Sequence, residues 1–376
     1  MVLLIGNYPL DRQQSMQRFA AMMRHGLAAA NIAADLIAPR PMLGKFRAAG
    51  NFVAKWLGYI DKFVFFPREL RARIAKDKPA VVHICDHSNA MYRRWIDNVP
   101  VVITCHDLLA VRGALGEETN CPASFTGKIL QRWILRGLRC ADEIACVSQA
   151  TQTDARRLVA GSDASPRIDI VPLGLSYPFR KLPDAEVTAR LKNIPAFDSQ
   201  TPFVLHVGSN LRRKNRDGVL RIFALTKNQW NARLVFAGDP LTPELRSLAQ
   251  QLEIADRISE VPAASSELLE ALYNRAIALL YPSRFEGFGS PVIEAQACGC
   301  PVVCSDTGPL PEAAGDAGLF HDLEDEAGFA SDLLRLREPA QRAIWSEKSL
   351  QNAKRFSAEQ MVSQYIDIYR SLGAQL

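Results

Sequence analysis

Two glutamates and a run of basic residues carry the chemistry that this sequence can do. In AIALLYPSRFEGFGSPVIEAQACGCPVVCSD (276–306) a strand-like run ends at Tyr281-Pro282-Ser283 and a glycine-interrupted loop follows (Glu286, Gly287, Phe288, Gly289). Ser290 and Pro291 then read as the cap and first residue of a helix that Gly299 ends. Backbone N–H groups at such a helix start, together with the helix dipole, make an anion site, so a phosphate is expected on the loop around Phe288, Gly289 and Ser290. Seven residues separate Glu286 from Glu294, which places the first carboxylate beside the anion site and the second about one turn inside the helix. A carboxylate near a polyphosphate is repelled unless it accepts hydrogen bonds from neutral hydroxyls. Sugar hydroxyls are its natural partners there: a hexose for Glu286, a ribose for Glu294. Taken alone, Glu294 reads better as an acid complementing the dipole of a first helical turn, and the alternative for Glu286 is a solvated loop acid.

FVLHVGSNLRRKN (203–215) is a strand ending in Gly208, then a loop carrying Arg212, Arg213 and Lys214. Fixed cations opposite a helix start would clamp a diphosphate from two sides and neutralise it as a leaving group. The alternative is a solvated basic loop. VVITCHDLLA (101–110) delivers His106 and Asp107 to the C-terminal end of a buried strand, the edge where open α/β sheets bind ligands. Asp107 there either orients the imidazole or caps the next helix.

Phe285 to Ala295 (FEGFGSPVIEA), followed by Gly299-Cys300-Pro301-Val302-Val303, resembles the E-x7-E signature of the retaining glycosyltransferases of family 4, which have the GT-B fold. The resemblance implies two Rossmann-like domains facing across a cleft, with a last helix crossing back to the first domain. It implies an enzyme that moves a hexose from a nucleotide diphosphate sugar to a hydroxyl acceptor, in cell-surface polysaccharide or glycolipid synthesis. By position, Glu286 contacts the transferred sugar, the amides of Phe288 to Ser290 contact sugar and phosphate, and Glu294 holds the ribose. The loop after Gly208 resembles the family's "G…RKN" loop, which puts Arg213 and Lys214 on the diphosphate, with Ser209 where some members carry another Arg. His106 matches the first-domain histidine that contacts the donor sugar. The opening loop, Gly6 to Arg12, lacks the Gly-Gly pair of many members, which turns Tyr8, Asp11 or Arg12 toward the acceptor.

The catalytic set implied is therefore His106, Glu286, Arg213 and Lys214, with Glu294, Phe288, Gly289, Ser290, Gly208 and Asp107 binding substrate. Neither metal nor cofactor is expected. No Asp-x-Asp lies at a plausible metal position, and the two cations and the helix start supply the charge a metal would give. Retention of configuration needs either a carboxylate nucleophile or a same-face reaction in which the leaving phosphate deprotonates the acceptor. The resemblance favours the second, with the carbonyl or side chain of His106 helping to stabilise oxocarbenium character. The rivals are a sugar-nucleotide epimerase of the same fold and a non-catalytic sugar-nucleotide-binding protein; a dinucleotide oxidoreductase lacks GxGxxG in both first βα turns.

The elements that must position these residues are legible in the apolar runs. VLLI, AVVHIC, VVITC, EIACVS and IDIVPLG alternate with helical patterns, and after a polar, proline-marked stretch the pattern restarts with FVLHVG, RLVFAG, AIALLYPS and PVVCSD. That is the signature of βαβ units in two doubly wound domains, expected over 1–180 and 181–355. Residues 356–376 form an amphipathic helix with no strand after it, expected to pack on the first domain. The 376 residues are 48% hydrophobic and 23% charged, a globular balance. No uncharged apolar run of 18 residues and no signal-peptide pattern occurs, and eight cysteines mostly at strand ends read as reduced thiols, so the chain is expected to be cytoplasmic. Residues 1–180 hold 24 Lys and Arg against 15 Asp and Glu, and the remainder 21 against 25. Ten of the cations fall between Arg40 and Lys78 among eight apolar, mostly aromatic residues, a composition that suits a peripheral contact with an anionic membrane surface better than nucleic acid, or else a core-facing helix with solvated lysines.

Overall fold

The computed structural model describes residues 1–11, 13–44, 51–160, 165–192 and 201–376, without the side chains of 51–55. Arg12, Lys45, Phe46 and Arg47, and the side chains of Phe52 and Lys55, lie outside what is described.

The apolar runs form two six-stranded sheets, parallel throughout. The first contains β1 (Val2–Ile5), β2 (Ala34–Ile37), β3 (Val81–Ile84), β4 (Val101–Cys105), β5 (Glu143–Cys146) and β6 (Arg167–Ile170), in the order β2-β1-β3-β4-β5-β6. The second contains β7 (Phe203–Gly208), β8 (Arg233–Gly238), β9 (Ile258–Pro262), β10 (Ala278–Tyr281), β11 (Val302–Ser305) and β12 (Gly318–His321), in the order β12-β11-β10-β7-β8-β9. Every residue of β1, β3, β4 and β5 is buried, whereas β6 at the edge alternates exposed and half-buried positions. Continuous apolar runs of this kind belong to sheets covered by helices on both faces. In each sheet the winding reverses beside its first strand, between β1 and β3 and between β7 and β10, and ligands of open α/β sheets bind outside the carboxyl ends at such a point.

The chain divides into two compact units, Met1–Ser176 with Ser357–Leu376, and Tyr177–Phe356. The unit boundaries thus lie a few residues from the 180/181 and 355/356 divisions read from the sequence. The helix Ala358–Ser371, capped by the Ser357 hydroxyl accepting from Gln360 N–H, joins the first unit because it buries Met361, Val362, Tyr365, Ile368 and Tyr369 with Val2, Leu4, Phe19 and Met23. A buried polar chain fixes its register: His83 of β3 meets the Tyr369 hydroxyl through Nδ1 (2.6 Å) and Thr104 Oγ1 through Nε2 (2.7 Å), and Thr104 meets the Tyr365 hydroxyl (2.7 Å). Burial draws the His83 pKa down to about 3, so the imidazole is neutral and both ring nitrogens serve the network.

The basic aromatic stretch is one continuous helical run, Asn51–Ile60, a π turn at Asp61–Phe65, then Phe66–Asp77. Phe66 and Leu70 are in the core, with Phe63 and Ile74 packed against it. Buried Asp61 accepts from the Tyr8 hydroxyl (2.7 Å), Leu43 N–H (3.0 Å) and Gly44 N–H (2.9 Å). Tyr8, expected toward an acceptor, is instead buried in this bond. Several of the cations are also committed: Arg40 to Glu69, Lys62 to Asp11, and Arg73 to Asp35 and Asp77. All eight cysteines are free thiols; Cys85, Cys105, Cys146, Cys298, Cys300 and Cys304 are buried. Burial pushes the Cys300 thiol up to about 12, as expected of an inert packing residue. Among the described residues no helix is long and apolar enough to cross a membrane.

Candidate functional site

The loops after β7 and β10 leave neighbouring strands at the point where the second sheet reverses, and the structure zips them together. The Arg284 N–H donates to the Arg213 carbonyl (2.8 Å), the Asn215 amide donates to the Pro282 carbonyl (2.9 Å), and the Arg284 guanidinium donates to Asn215 Oδ1 (2.9 Å). Asn215 adopts a left-handed backbone (φ 52°), which turns the chain from the short 3-10 segment Arg212–Lys214 into the helix Arg216–Ala224.

This zipper brings Glu286, Arg213 and Lys214 into one cluster. Glu286 accepts from Arg213 Nη1 at 2.8 Å, from Lys214 Nζ at 2.7 Å and from the Tyr281 hydroxyl at 2.9 Å, and Lys214 Nζ also donates to the Tyr281 hydroxyl at 2.6 Å. Arg213 Nη1 donates in addition to the Phe285 carbonyl (3.0 Å). The Glu286 side chain is only 7% exposed. Burial alone would raise its pKa, but the charges of Lys214 and Arg213 outweigh it and hold the carboxyl down at about 2. Burial draws the Lys214 ammonium below its ordinary range, opposed chiefly by Glu286. Two of the three Lys214 N–H donors are used by Tyr281 and Glu286, and the third meets no acceptor among the described residues.

The helix Ser290–Ala297 starts on the same loop. Its cap is Gly289, not Ser290: Gly289 has φ +109°, a Cβ there would approach Leu310 Cδ2 to 2.8 Å, and Ser290 becomes the first helical residue with Pro291 after it. The Phe288 side chain is buried and meets Phe356 edge-on (5.7 Å between ring centroids), so it anchors the loop and leaves only its backbone for a ligand. Glu294, half-buried on this helix, accepts from the Tyr273 hydroxyl at 3.0 Å, and Tyr273 is fully buried. The Tyr273 hydroxyl thus fixes one oxygen of the Glu294 carboxylate on the first turns of the helix.

Gly208 ends β7 opposite Gly238, and a Cβ on Gly238 (φ +125°) would meet the Gly208 carbonyl at 2.2 Å. Arg216 holds this edge: its guanidinium donates to the carbonyls of Gly208 (2.9 Å) and Asp239 (2.8 Å) and to Asn210 Oδ1 (2.5 Å). Sequence reasoning did not single out Arg216 or Tyr273, and named Tyr281 only as the end of a strand-like run.

In the first unit the corresponding edge gathers the ends of β1, β3 and β4. His106 is buried, its Nε2 3.0 Å from the Cys85 carbonyl, its ring edge-on to Phe19 (4.9 Å between ring centroids). Burial lowers its pKa, which leaves a neutral ring with the proton on Nε2 and a bare Nδ1 that has no partner among the described residues. Asp107 makes an Asx turn just before the next helix, whose capping residue is Leu108: its Oδ1 accepts from Leu109 N–H (3.0 Å), and the imidazole Nε2 lies against the Cys85 carbonyl. Beside them, Asp86 accepts from the Asn7 amide (2.5 Å) and Ser88 N–H (3.0 Å) and pairs with His87 Nδ1 (3.2 Å). Asn7 Oδ1 is buried without a partner among the described residues. The sequence did carry a signal for Asp86 and His87, since they end β3 in the same way that His106 and Asp107 end β4. Among the described residues no group of three or more His, Cys, Asp or Glu is placed to hold a metal ion.

A family model described as "Glycosyl transferases group 1" matches residues 187–349, and one described as "Glycosyltransferase Family 4" matches 16–176. The chain is 32% identical over 300 residues to a D-inositol 3-phosphate glycosyltransferase of Acidothermus cellulolyticus, covering 75% of this chain and 64% of that protein. It is 34% identical over 178 residues to O-antigen chain mannosyltransferase B of Escherichia coli, covering 45% of this chain and 46% of that protein. The chain thus spans less than two thirds of the length of these curated relatives. Its fold is that of a sucrose-phosphate synthase of Thermosynechococcus elongatus, with a TM-score of 0.75 at 22% identity over 99% of both chains.

Proposed function

Because the chain belongs to the group 1 glycosyltransferases, with a family 4 region in its first unit, we propose that it transfers a hexose from a nucleoside diphosphate sugar to a hydroxyl acceptor, with retention of configuration and without a metal ion. The observation that carries the reading is the meeting of Arg213 and Lys214 with Glu286 beside the Gly289–Ser290 helix start, at the reversal point of the second sheet. Two cations and a set of helix-start amides suit a diphosphate, and a carboxylate already screened by those cations can accept from sugar hydroxyls without repelling the phosphates.

In this reading the bond from the anomeric carbon to the diphosphate oxygen breaks, and the charge that develops on that oxygen falls to Lys214, Arg213 and the amides of Gly289 and Ser290. The acceptor oxygen bonds to the same face of the sugar and its proton passes to the departing phosphate. His106, neutral and buried, is assigned to the sugar being transferred. The acceptor is assigned to the first unit, where Asn7, Asp86 and His87 offer polar groups for hydroxyls. Cell-surface polysaccharide or glycolipid synthesis is the proposed setting, supported by the name of one relative, the O-antigen chain mannosyltransferase, whereas the other is named for a D-inositol 3-phosphate acceptor.

The test is hydrolysis or transfer with a panel of UDP-, GDP- and ADP-sugars. Release of the nucleoside diphosphate supports a transferase, interconversion of the sugar without release identifies an epimerase, and binding without turnover a sensor. With the cognate donor, Glu294→Ala is expected to weaken binding by about 1–3 kcal/mol, the loss of a charge-assisted hydrogen bond to the ribose, with the carboxylate's other partner, Tyr273, left unpaired. Isothermal titration checks this, and an unchanged dissociation constant removes Glu294 from the ribose.

A further inference from the structure

The helix Phe125–Arg139 carries fifteen residues with four cations (Lys128, Arg132, Arg136, Arg139) and no acid. Its inner face buries Ile134, Leu135, Gly137 and Leu138. Its outer face is not the polar one that such a helix usually turns to water. Phe125, Ile129 and Trp133, at successive i,i+4 positions, are all exposed, Phe125 at 80% and Trp133 at 44%. Lys128, Arg132 and Arg136 repeat at the same interval, so a row of cations runs alongside the row of apolar side chains. Among the described residues none of these three cations has a carboxylate partner, in contrast to Arg40, Lys62 and Arg73 of the 40–78 stretch.

The apolar row continues onto the neighbouring helical run. Trp133 meets Phe63 edge-on (6.1 Å between ring centroids), Phe63 meets Tyr59 (5.6 Å), and Tyr59 meets Trp56 (5.8 Å), which is itself 51% exposed. Val64 and Phe65, on the π turn, are exposed as well. Exposed rings flanked by cations that have no counter-charge of their own match a bilayer surface in both respects. Rings of this kind lodge at the headgroup level, and lysines and arginines gain from anionic lipid within a Debye length.

We propose that the helix Phe125–Arg139, extended by the Trp56–Tyr59–Phe63 ring ladder, is a docking surface for an anionic lipid bilayer. The surface moves the membrane contact from the cations of 40–78, half of whose rings the sequence could equally place in the core, to a helix that the sequence did not single out. The inference rests on the transferase reading for its purpose, to bring the first unit to a lipid-linked or membrane-embedded acceptor, but its physics is independent of the reaction.

The experiment is co-sedimentation of the full chain with vesicles of phosphatidylcholine alone or with about one third phosphatidylserine, at low and high salt. Wild-type protein sediments with the anionic vesicles at low salt and is released at high salt. Lys128→Gln/Arg132→Gln/Arg136→Gln lowers the partition coefficient on the order of 100-fold, from roughly a fivefold factor per cation. Phe125→Ser/Trp133→Ser also lowers it. The substituted side chains are all exposed, and a thermal melt confirms folding of each variant. As a second readout, the fluorescence difference between wild type and Trp133→Phe shifts to the blue on anionic vesicles. Absence of sedimentation at low salt, equal sedimentation on neutral vesicles, or an unaffected triple variant overturns the proposal. Donor hydrolysis measured without lipid on the same samples separates the two readings. Hydrolysis without vesicle binding defeats the docking surface alone, and vesicle binding without hydrolysis defeats the transferase alone.

Discussion

Lys214→Ala is expected to lower the turnover of glycosyl transfer by about 10²–10³-fold, the usual effect of removing one preorganised donor from a developing oxyanion, while donor affinity changes far less. The expectation follows from how the ammonium is held. Its stem is buried, its Nζ is fixed by Glu286 at 2.7 Å and by the Tyr281 hydroxyl at 2.6 Å, and one N–H remains for the diphosphate. Such a donor needs no reorganisation when the bond breaks, and the charge it meets is larger in the transition state than in the bound donor. The loss therefore falls on kcat and kcat/KM together. Arg213 stays in place through the Phe285 carbonyl and Glu286, which keeps ground-state binding of the phosphates. Steady-state kinetics with the cognate donor, beside a melting curve, provide the check. An unchanged kcat in a folded variant would mean that Lys214 holds Glu286 and does not touch phosphate.

The architecture was legible because parallel sheets write themselves as continuous apolar runs: AVVHIC, VVITC and PVVCSD appear as β3, β4 and β11 within a residue or two. The final helix was legible because its apolar positions repeat at helical spacing with no strand to follow. The loop residues were legible as types, but their partners were not. Glu286 and the pair Arg213-Lys214 are more than 70 residues apart in the chain, and only the adjacency of β7 and β10, which no local pattern reports, makes them neighbours. For the same reason the sequence did not single out Arg216 or Tyr273 and showed Tyr281 only as the end of a strand, although each holds a site element through a part-buried hydrogen bond. Ser290 misled because a serine before a proline has the chemistry of a cap. The left-handed backbone at Gly289 took that place, since it alone lets the loop pass Leu310. Asp107 and Tyr8, polar groups at the same sheet edge, make internal bonds, Asp107 to Leu109 N–H and Tyr8 to buried Asp61, the second a pairing that no local pattern reports.

Glu286→Gln is expected to destabilise the protein by about 3–5 kcal/mol at neutral pH, because it removes the counter-charge from a buried lysine and an adjacent arginine without changing the shape of the site. The sign of the pH dependence follows from the folded pKa of about 2, below the ordinary carboxylate value of 4.5. The stabilisation by Glu286 is fully present above the unfolded pKa and is lost as the pH falls from about 4.5 toward 2, where the folded carboxyl takes up its proton. The gap in unfolding free energy between wild type and variant should therefore be wide and flat above pH 5 and narrow steadily below it. Other carboxylates titrate in both proteins, so the difference isolates this one. Urea unfolding from pH 3 to 7 measures it, and a gap independent of pH would show that Glu286 is not ion-paired as described. A second arm separates the two roles of the residue. In the variant Arg213 and Lys214 have lost their carboxylate and face a bound anion alone, so the nucleoside diphosphate product should stabilise the variant more than it stabilises wild type, while glycosyl transfer is lost. If the variant instead binds the nucleoside diphosphate more weakly, the carboxylate acts through positioning the two cations, and its assignment to the sugar fails.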